Sequence, residues 1–322
     1  MRNVEIRSTG SRTGRRDDAG RARDLALSGH GRSEFRIYRV EKVDDPRLWL
    51  RDEKGPAQGW VDASWVVAFD RAIAFYTAQI KASPGDAASY VDRASIWQEK
   101  GETAAAIADL DEAIRLDPRH AMAYNNRGVA HRSRKEYDKA IADYGEAIRL
   151  DPKLAWAYND RGLAWTAKNE LDKAVDDHSE AIKIDPKLAS AFSNRANTWA
   201  AKKEYAKAIA DHSEALRLDP KLAGAYNNRA WLRATCPEAK YRDGKAAVDD
   251  ATKACDISNR KAAHHLGTLA AAYAERGDFP SAIETQARAQ RLYKDEGELK
   301  RGRERTALYK AGKPYRERAA AE

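Results

Sequence analysis

Asparagine recurs in this chain at a spacing that suits peptide recognition. Asn125, Asn159 and Asn227 are separated by multiples of 34 residues. An amide side chain both donates and accepts hydrogen bonds, so a row of amides can pair with the backbone of an extended peptide. With neighbouring polar and aromatic positions, they give the candidate binding residues Asn125, Asn126, Trp156, Asn159, Asn194, Asn197, Asn227 and Trp231. For each asparagine an alternative stays open, namely that its amide bonds only within the chain itself.

Residues suited to catalysis do not fall into any recognisable pattern. The histidines are His30, His120, His131, His178, His212, His264 and His265. None of them forms a His-Glu-x-x-His metal motif, and the adjacent His264 and His265 would point about 100° apart on a helix. The sequence contains no Gly-rich phosphate loop, no Gly-x-Ser-x-Gly and no Cys-x-x-Cys. We therefore predict that the chain is not an enzyme and needs no cofactor or metal.

The remaining polar residues of interest have structural explanations. His178 and His212 occupy the repeat position that holds Tyr144, which predicts that both pack inside helix contacts. Cys236 and Cys255 match neither a metal site nor a disulfide framework, so we interpret them as packing thiols.

The distribution of charge argues against nucleic acid as the partner. The net charge is +8, but residues 1–33 contribute +4, residues 288–322 contribute +5, and the middle of the chain contributes -1. Nucleic-acid binding is expected to concentrate Lys and Arg on one face of the folded part. The partner is therefore predicted to be a protein or peptide.

Hydropathy gives no sign of a membrane. No apolar run approaches the roughly 18 residues of a membrane span, and the start, MRNVEIRSTG, does not resemble a signal peptide. As written, the chain is expected in the cytoplasm, with export as the alternative if the natural start lies upstream.

The candidate residues must be positioned by a repeated helical unit. Residues 87–120, 121–154, 155–188 and 189–222 form four blocks of 34, and the second and third share 19 identities. Each block contains two segments of helical periodicity separated by a short polar turn, which predicts two antiparallel helices. Asp-Pro near the end of each block, as at 151–152, is predicted to stop the second helix, because proline forces the preceding residue out of helical geometry.

Small residues at fixed positions predict close helix contacts. Glycine or alanine occupies the eighth position of each block, including Gly128 and Gly162. Arginine occupies the seventh position, and Asp follows sixteen residues later, as in Arg161 and Asp177. An unpaired arginine at a half-buried seam would be costly, so we predict Arg-Asp pairs across each hairpin with a structural role.

The spacing of Tyr124, Gly128, Ala140, Ala147 and Pro152 resembles that of the tetratricopeptide repeat. The resemblance implies an all-α fold, a superhelical solenoid of antiparallel helix pairs whose first helices line a concave groove. The stretch from TCPEAKYRDGK to KPYRE also resembles the C-terminal portion of bacterial, planctomycete-like tetratricopeptide proteins. Chaperone-binding members use a groove lysine, but the fifth position of these blocks is never Lys, so recognition of a C-terminal carboxylate is not supported.

The domain boundaries follow from the repeat. We predict a disordered basic tail at 1–33, a partial β segment at 34–68, a repeat array at 69–295, and a capping helix with its tail at 296–322. Within the array we predict a half-repeat at 70–86 and repeats at 87–120, 121–154, 155–188, 189–222, 223–262 with an insertion, and 263–295.

The segment before the helices has a different character. FRIYRVEKV, RLWLRDEKG and GWVDASWVV are short runs rich in aromatic and β-branched residues, which predicts strands. They resemble the latter half of a bacterial SH3-like barrel that carries Trp49, Trp60 and Trp65. The first half is missing, so either the barrel is incomplete or the natural chain starts earlier.

These observations predict a non-catalytic protein–protein interaction scaffold that binds a peptide or protein in the groove of the repeat array. The alternative is a regulatory or substrate-recruiting subunit of a separately encoded enzyme.

Overall fold

The computed structural model describes residues 71–317 in full, together with the backbone of five strands between residues 24 and 68. The chain divides into two compact units, residues 1–157 and residues 158–322. The division falls inside one helix, Ala155–Ala167.

The described residues contain fourteen α-helices. The first unit contains α1 (Ala72–Ala82), α2 (Ala87–Glu99), α3 (Thr103–Leu116), α4 (Ala121–Ser133) and α5 (Tyr137–Leu150), and α6 (Ala155–Ala167) spans the division. The second unit contains α7 (Leu171–Ile184), α8 (Ala189–Ala201), α9 (Tyr205–Leu218), α10 (Ala223–Thr235), α11 (Gly244–Ile257), α12 (Ala263–Glu275), α13 (Phe279–Gln290) and α14 (Glu296–Lys310). We call α2, α4, α6, α8, α10 and α12 first helices, and α3, α5, α7, α9, α11 and α13 second helices.

Each second helix of the regular repeats ends in the same way. At the end of α5, Asp151 leaves helical geometry ahead of Pro152, and its carboxylate Oδ1 accepts a hydrogen bond of 3.0 Å from the amide of Lys153. Asp117, Asp185 and Asp219 make the same bond. The Asp-Pro pair therefore stops the helix and also holds the loop that starts the next one.

In every hairpin except that of α10 and α11, the turn has a left-handed residue at one fixed position. Lys135, Asn169 and Lys203 have φ of 62°, 63° and 63°, and Gly101 and Gly277 hold the equivalent position. The amide of the following residue then donates to a carbonyl in the last turn of the first helix, as in a Schellman motif. The same turn is thus built with or without glycine.

Close contact between the two helices of a hairpin depends on small side chains. Alanines that are fully buried at this contact are Ala106, Ala113, Ala140, Ala147, Ala174, Ala181, Ala208 and Ala215. A Cβ added to Gly128 would lie 2.6 Å from Tyr144 Cε1, and one added to Gly162 would lie 2.7 Å from His178 Cε1. The predicted close approach at these two glycines is confirmed.

The repeat at 223–262 contains the predicted insertion. Between α10 and α11 the chain forms a short 3-10 helix, Ala239–Tyr241, after Pro237. Tyr241 packs against Tyr205 with ring centroids 5.8 Å apart. The insertion therefore covers the neighbouring hairpin within the second unit.

The five strands form one antiparallel sheet in the order β4-β3-β2-β1-β5. They are β1 (Asp24–Leu27), β2 (Arg36–Asp44), β3 (Arg47–Asp52), β4 (Gln58–Asp62) and β5 (Val67–Ala68). The prediction of a disordered tail at 1–33 is wrong for β1, which pairs with β2; four residues are too few to show a strand pattern. The rest of that tail and Trp65 lie outside the described residues, and the SH3-like assignment stays a prediction.

Candidate interaction surface

The repeated arginines pair with aspartates across each hairpin, as predicted. In four repeats Nε and Nη2 donate to the two carboxylate oxygens at 2.6 to 3.0 Å. The pairs are Arg93–Asp109, Arg127–Asp143, Arg161–Asp177 and Arg195–Asp211. Hydrogen bonding to Asp177 raises the pKa of Arg161 against the opposing effect of burial. These forked bonds keep the buried carboxylates satisfied and fix the two helices in register.

The same arginines, together with Arg229, also contact aromatic rings and the preceding helix. Each guanidinium lies 5.5 to 5.9 Å from the ring of the aromatic residue three positions earlier, at Tyr90, Tyr124, Tyr158, Phe192 and Tyr226. A third bond, from Nη1, reaches the preceding second helix in the pairs Arg93–Thr77, Arg127–Asp111, Arg195–Ser179 and Arg229–Ser213. One side chain thus joins two successive hairpins, which supports the structural role predicted for it.

In the first unit the candidate asparagines are buried rather than exposed. Asn125 and Asn126 of α4 are 4% and 5% exposed. The side chain of Gln98 on α2 donates to the backbone carbonyl of Asn126 at 2.8 Å. These two side chains therefore do not face solvent, because they lie where neighbouring first helices meet. Trp156, at the start of α6, is half-buried.

In the second unit, hydrogen bonds between asparagine side chains connect α6 with α8 and, separately, α8 with α10. Asn194 of α8 donates to Asn159 of α6 at 3.0 Å. Asn228 of α10 donates to Asn197 of α8 at 2.9 Å, and Asn227 donates to Asn228 at 3.2 Å. The alternative of bonding within the chain thus applies to four of the candidates, namely Asn159, Asn194, Asn197 and Asn227.

Three amide atoms on the first helices still lack a hydrogen-bond partner among the residues described. They are Oδ1 of Asn125, Nδ2 of Asn126 and Oδ1 of Asn227. Buried polar atoms are normally bonded, and a missing partner costs free energy. These positions therefore combine internal bonding with unused hydrogen-bonding capacity.

Trp231 of α10, the last candidate, contacts a segment that follows α14. Trp231 Nε1 donates to Glu317 Oε1 at 2.6 Å, and its ring lies 5.8 Å from that of Tyr315. The guanidinium of Arg305 on α14 lies 5.8 Å from the Trp231 ring and 6.0 Å from the Tyr315 ring. Trp231 is thus placed on the surface of its first helix, but the chain itself covers it.

The segment that covers Trp231 is the part of the chain just after α14. After α14, Gly312 adopts φ of 65°, and residues 313–317 continue without regular secondary structure. The amide of Glu317 donates to the carbonyl of Thr235 at 3.0 Å, and Arg316 Nη1 donates to the carbonyl of Ala234 at 3.3 Å. These carbonyls lie in the last turn of α10, where helix carbonyls have no partner within the helix.

A cavity of about 210 Å³ lies beside this segment. Its lining residues are Trp231, His264, Gly267, Thr268, Tyr293, Glu298, Arg301 and Arg305. The fully buried Gln286 accepts from Arg305 Nε at 3.2 Å, and Arg305 Nη2 donates to Tyr293 Oη at 3.1 Å. Arg305 is therefore held in place between the cavity and the two aromatic rings. Nothing in the repeat pattern marks this cluster, because its residues come from different blocks and from α14.

The buried histidines pack inside hairpins, as predicted. His178 and His212 are fully buried, and neither ring nitrogen of either residue has a hydrogen-bond partner in the part of the chain that is described. Burial, and then the positive charge of Arg195 or Arg229, lowers the pKa of each histidine to about 4. Both rings are therefore neutral at physiological pH. Burial also raises the pKa of Cys236 and Cys255, so neither thiol is activated.

The described residues form neither a metal site nor a membrane-spanning helix. Among residues 71–317, no three His, Cys, Asp or Glu side chains are grouped so that they could hold a metal ion. No helix in that range is long and apolar enough to cross a bilayer.

Two family profiles match this chain. The profile described as Tetratricopeptide repeat matches residues 121–154, and the one described as TPR repeat matches residues 98–133. The chain therefore contains tetratricopeptide repeats. No curated protein sequence matches it significantly.

Two solved structures illustrate what this chain aligns with. The structure titled "Crystal structure of APC/C hetero-tetramer Cut9-Hcn1" aligns with a TM-score of 0.63 at 16% identity, covering 73% of this chain and 46% of that one. The "Crystal structure of MamA" aligns with a TM-score of 0.43 at 28% identity, covering 48% of this chain and 91% of that one. The first alignment supports the helical-repeat fold, and the second carries no structural argument. The planctomycete resemblance stays a prediction.

Proposed function

We propose that this chain is a non-catalytic protein-interaction scaffold that binds an extended segment of a protein partner on its first helices. We define the first-helix face of the second unit as the surface formed by α8, α10 and α12 with the second-unit part of α6. Support comes from the repeats themselves and from the hydrogen bonds between asparagine side chains that connect these helices.

One observation carries the proposal. Residues 313–317 lie against α10 as a segment without regular secondary structure, in contact through a backbone amide, two charged side chains and an aromatic ring. These are the contacts by which a protein surface recognises an extended peptide. A face that holds its own segment in this way has the groups needed to hold a partner's.

Affinity capture with the tagged full-length chain, followed by mass spectrometry, would identify the partner. A protein without enzymatic activity is expected as the dominant species. An enzyme in that position would instead assign the chain as a regulatory or substrate-recruiting subunit.

Calorimetry with the captured partner would then locate the site. Trp231→Ala is expected to weaken binding by about 2 kcal/mol, as for an aromatic hot spot, and Asn197→Ala by less. Glu214→Ala is the matched control, because Glu214 lies on second helix α9 and, among the described residues, its side chain bonds only to Arg217 of the same helix. Circular dichroism would confirm that each variant is folded. Equal affinity for all variants would disprove the proposed face.

The salt dependence of the same binding reaction would separate protein from nucleic acid. Because the basic excess lies near the chain ends, the proposed face predicts a weak dependence on salt. A steep fall in affinity with rising salt would indicate that the partner binds at the basic ends instead.

A further inference from the structure

We infer that residues 313–317 are an internal ligand of the first-helix face, and that the partner presents a segment of the same chemistry, an aromatic residue followed by arginine and a carboxylate. This inference rests on the proposed function and adds to it the class of partner segment and the means of regulation. It is carried by three separate contacts of Tyr315, Arg316 and Glu317.

Tyr315 supplies the aromatic contact. Its ring stacks at an angle on Trp231, and Arg305 lies against both rings. Tyr315 also packs at the edge of the core cluster that contains Ala270, Ala274 and Tyr309. An aromatic side chain at this point gains apolar burial together with an attraction between cation and ring.

Arg316 supplies the basic contact at the end of α10. Its guanidinium donates to the carbonyl of Ala234 and forms a short ion pair with Glu275 of α12. The C-terminus of a helix carries partial negative charge, so a guanidinium is favoured there. Glu275 also pairs with Arg242 at 3.1 Å, which fixes the carboxylate before any ligand arrives.

Glu317 supplies the acidic contact and fixes the direction of the segment. Its carboxylate accepts from Trp231 Nε1, while its own amide donates to Thr235. A partner segment with the order aromatic, arginine, acid would reproduce all three contacts in the same polarity. While residues 313–317 occupy this place, the partner segment cannot bind.

The internal segment is suited to displacement. It is tethered to α14 through Gly312, and all its polar contacts are to side chains or to carbonyls that water can also satisfy. A tethered ligand competes at an effective concentration on the order of mM, so it raises the apparent Kd of any segment that binds at the same place.

The test uses the full-length chain and a labelled peptide, KPYRERAAAE, which matches residues 313–322. We expect Arg316→Ala/Glu317→Ala to bind this peptide at least about tenfold more tightly than the parent, because the internal competitor is weakened. Tyr315 is retained in this variant because it contributes to the core. The control peptide KPAAARAAAE should not bind either chain.

A second variant locates the site. Adding Trp231→Ala to the double variant should abolish binding of KPYRERAAAE, whereas adding Glu214→Ala should leave it unchanged. Hydrogen exchange should show faster exchange of the backbone amide at position 317 in the double variant than in the parent, since that amide bonds to the carbonyl of Thr235.

The inference is overturned if the double variant binds the peptide no more tightly than the parent, or if binding survives loss of Trp231. Concentration-dependent dimerisation of the parent, abolished in the double variant, would also overturn it, because the natural occupant would then be the segment of a second copy. The proposed function is judged separately, by whether the captured partner still depends on Trp231 and Asn197.

Discussion

The hairpins that carry Tyr144 and His178 fill one internal slot with two kinds of side chain. In both, a glycine eight residues into the block lies against the ring, at Gly128 and Gly162. Tyr144 and His178 are both fully buried, but only histidine has an ordinary pKa near neutral pH, and burial lowers the pKa of His178 to about 4. The stability of the same helix packing can therefore depend on pH or not, according to whether the buried ring is histidine or tyrosine.

The largest expected effect is acid destabilisation of the second unit. A buried histidine with its pKa lowered to about 4 is neutral when folded but takes up a proton when unfolded below about pH 6.5. Stability is therefore complete above about pH 6.5 and declines as the pH falls toward 4. Proton uptake by each of His178 and His212 in the unfolded chain should lower the free energy of unfolding by about 3 kcal/mol over this range.

The substitution His178→Tyr isolates this effect, because Tyr144 shows that the slot accepts tyrosine beside glycine. Urea titrations at about pH 7.5 and about pH 4 should show that the parent loses about 3 kcal/mol more than the variant. Equal losses in the two proteins would mean that His178 is protonated in the folded state.

The second effect concerns ring size. His212 lies at the equivalent position, but its block has Ala196 in place of glycine, and a Cβ at Gly128 would lie 2.6 Å from Tyr144. His212→Tyr is therefore expected to cost about 2 kcal/mol through overpacking. Adding Ala196→Gly should restore about half of that loss, since it removes the clash but places glycine in a helix. A double-mutant cycle of thermal melts that shows simple additivity would contradict the shared slot.

The third effect compares a buried ion pair with an exposed one. Arg161 and Asp177 are joined by two bonds, and the Asp177 side chain is only 9% exposed. Replacing either residue by alanine should cost about 2 kcal/mol, and replacing both should cost less than the sum of the two. Chemical denaturation of the two single variants and the double variant measures the coupling, and an absence of coupling would remove the structural role.

The smallest effect is expected at the exposed pair on the same helix. Lys183 and Glu180 of α7 are 3.1 Å apart, with 75% and 39% of their side chains exposed. Their double-mutant cycle should give a coupling within experimental error that disappears in high salt. A coupling as large as that of Arg161 and Asp177 would show that burial does not separate the two classes of pair.

Much of the array could be predicted from sequence because its causes are local. Periodicity, Asp-Pro and small residues at fixed positions determine the helices, their ends and their close contacts. The Arg-Asp pairing was also accessible, since the spacing of sixteen residues recurs. It fails only at Arg229, whose partner is Asp250, because the insertion after α10 lengthens the loop.

The candidate site was harder to predict because burial at a helix contact depends on the neighbouring repeat. The sequence identified the positions of Asn125 and Asn159, but not that both are buried. The contact of Trp231 with Tyr315 and Glu317 joins residues more than eighty positions apart and follows no period. The assignment of a binding partner to these positions stays a prediction.

The third bond of the repeated arginines bears on how such a chain can lengthen. In residues 189–222 one block carries Arg195, which bonds to Ser179 of the block before it, and Ser213, which accepts from Arg229 of the block after it. A tandem duplication of this block would therefore bring both halves of each joint with it. The copy would pack against its parent without any compensating substitution. Duplication of the whole repeat should therefore preserve the hydrogen bonds between blocks, whereas duplication of part of a repeat should not.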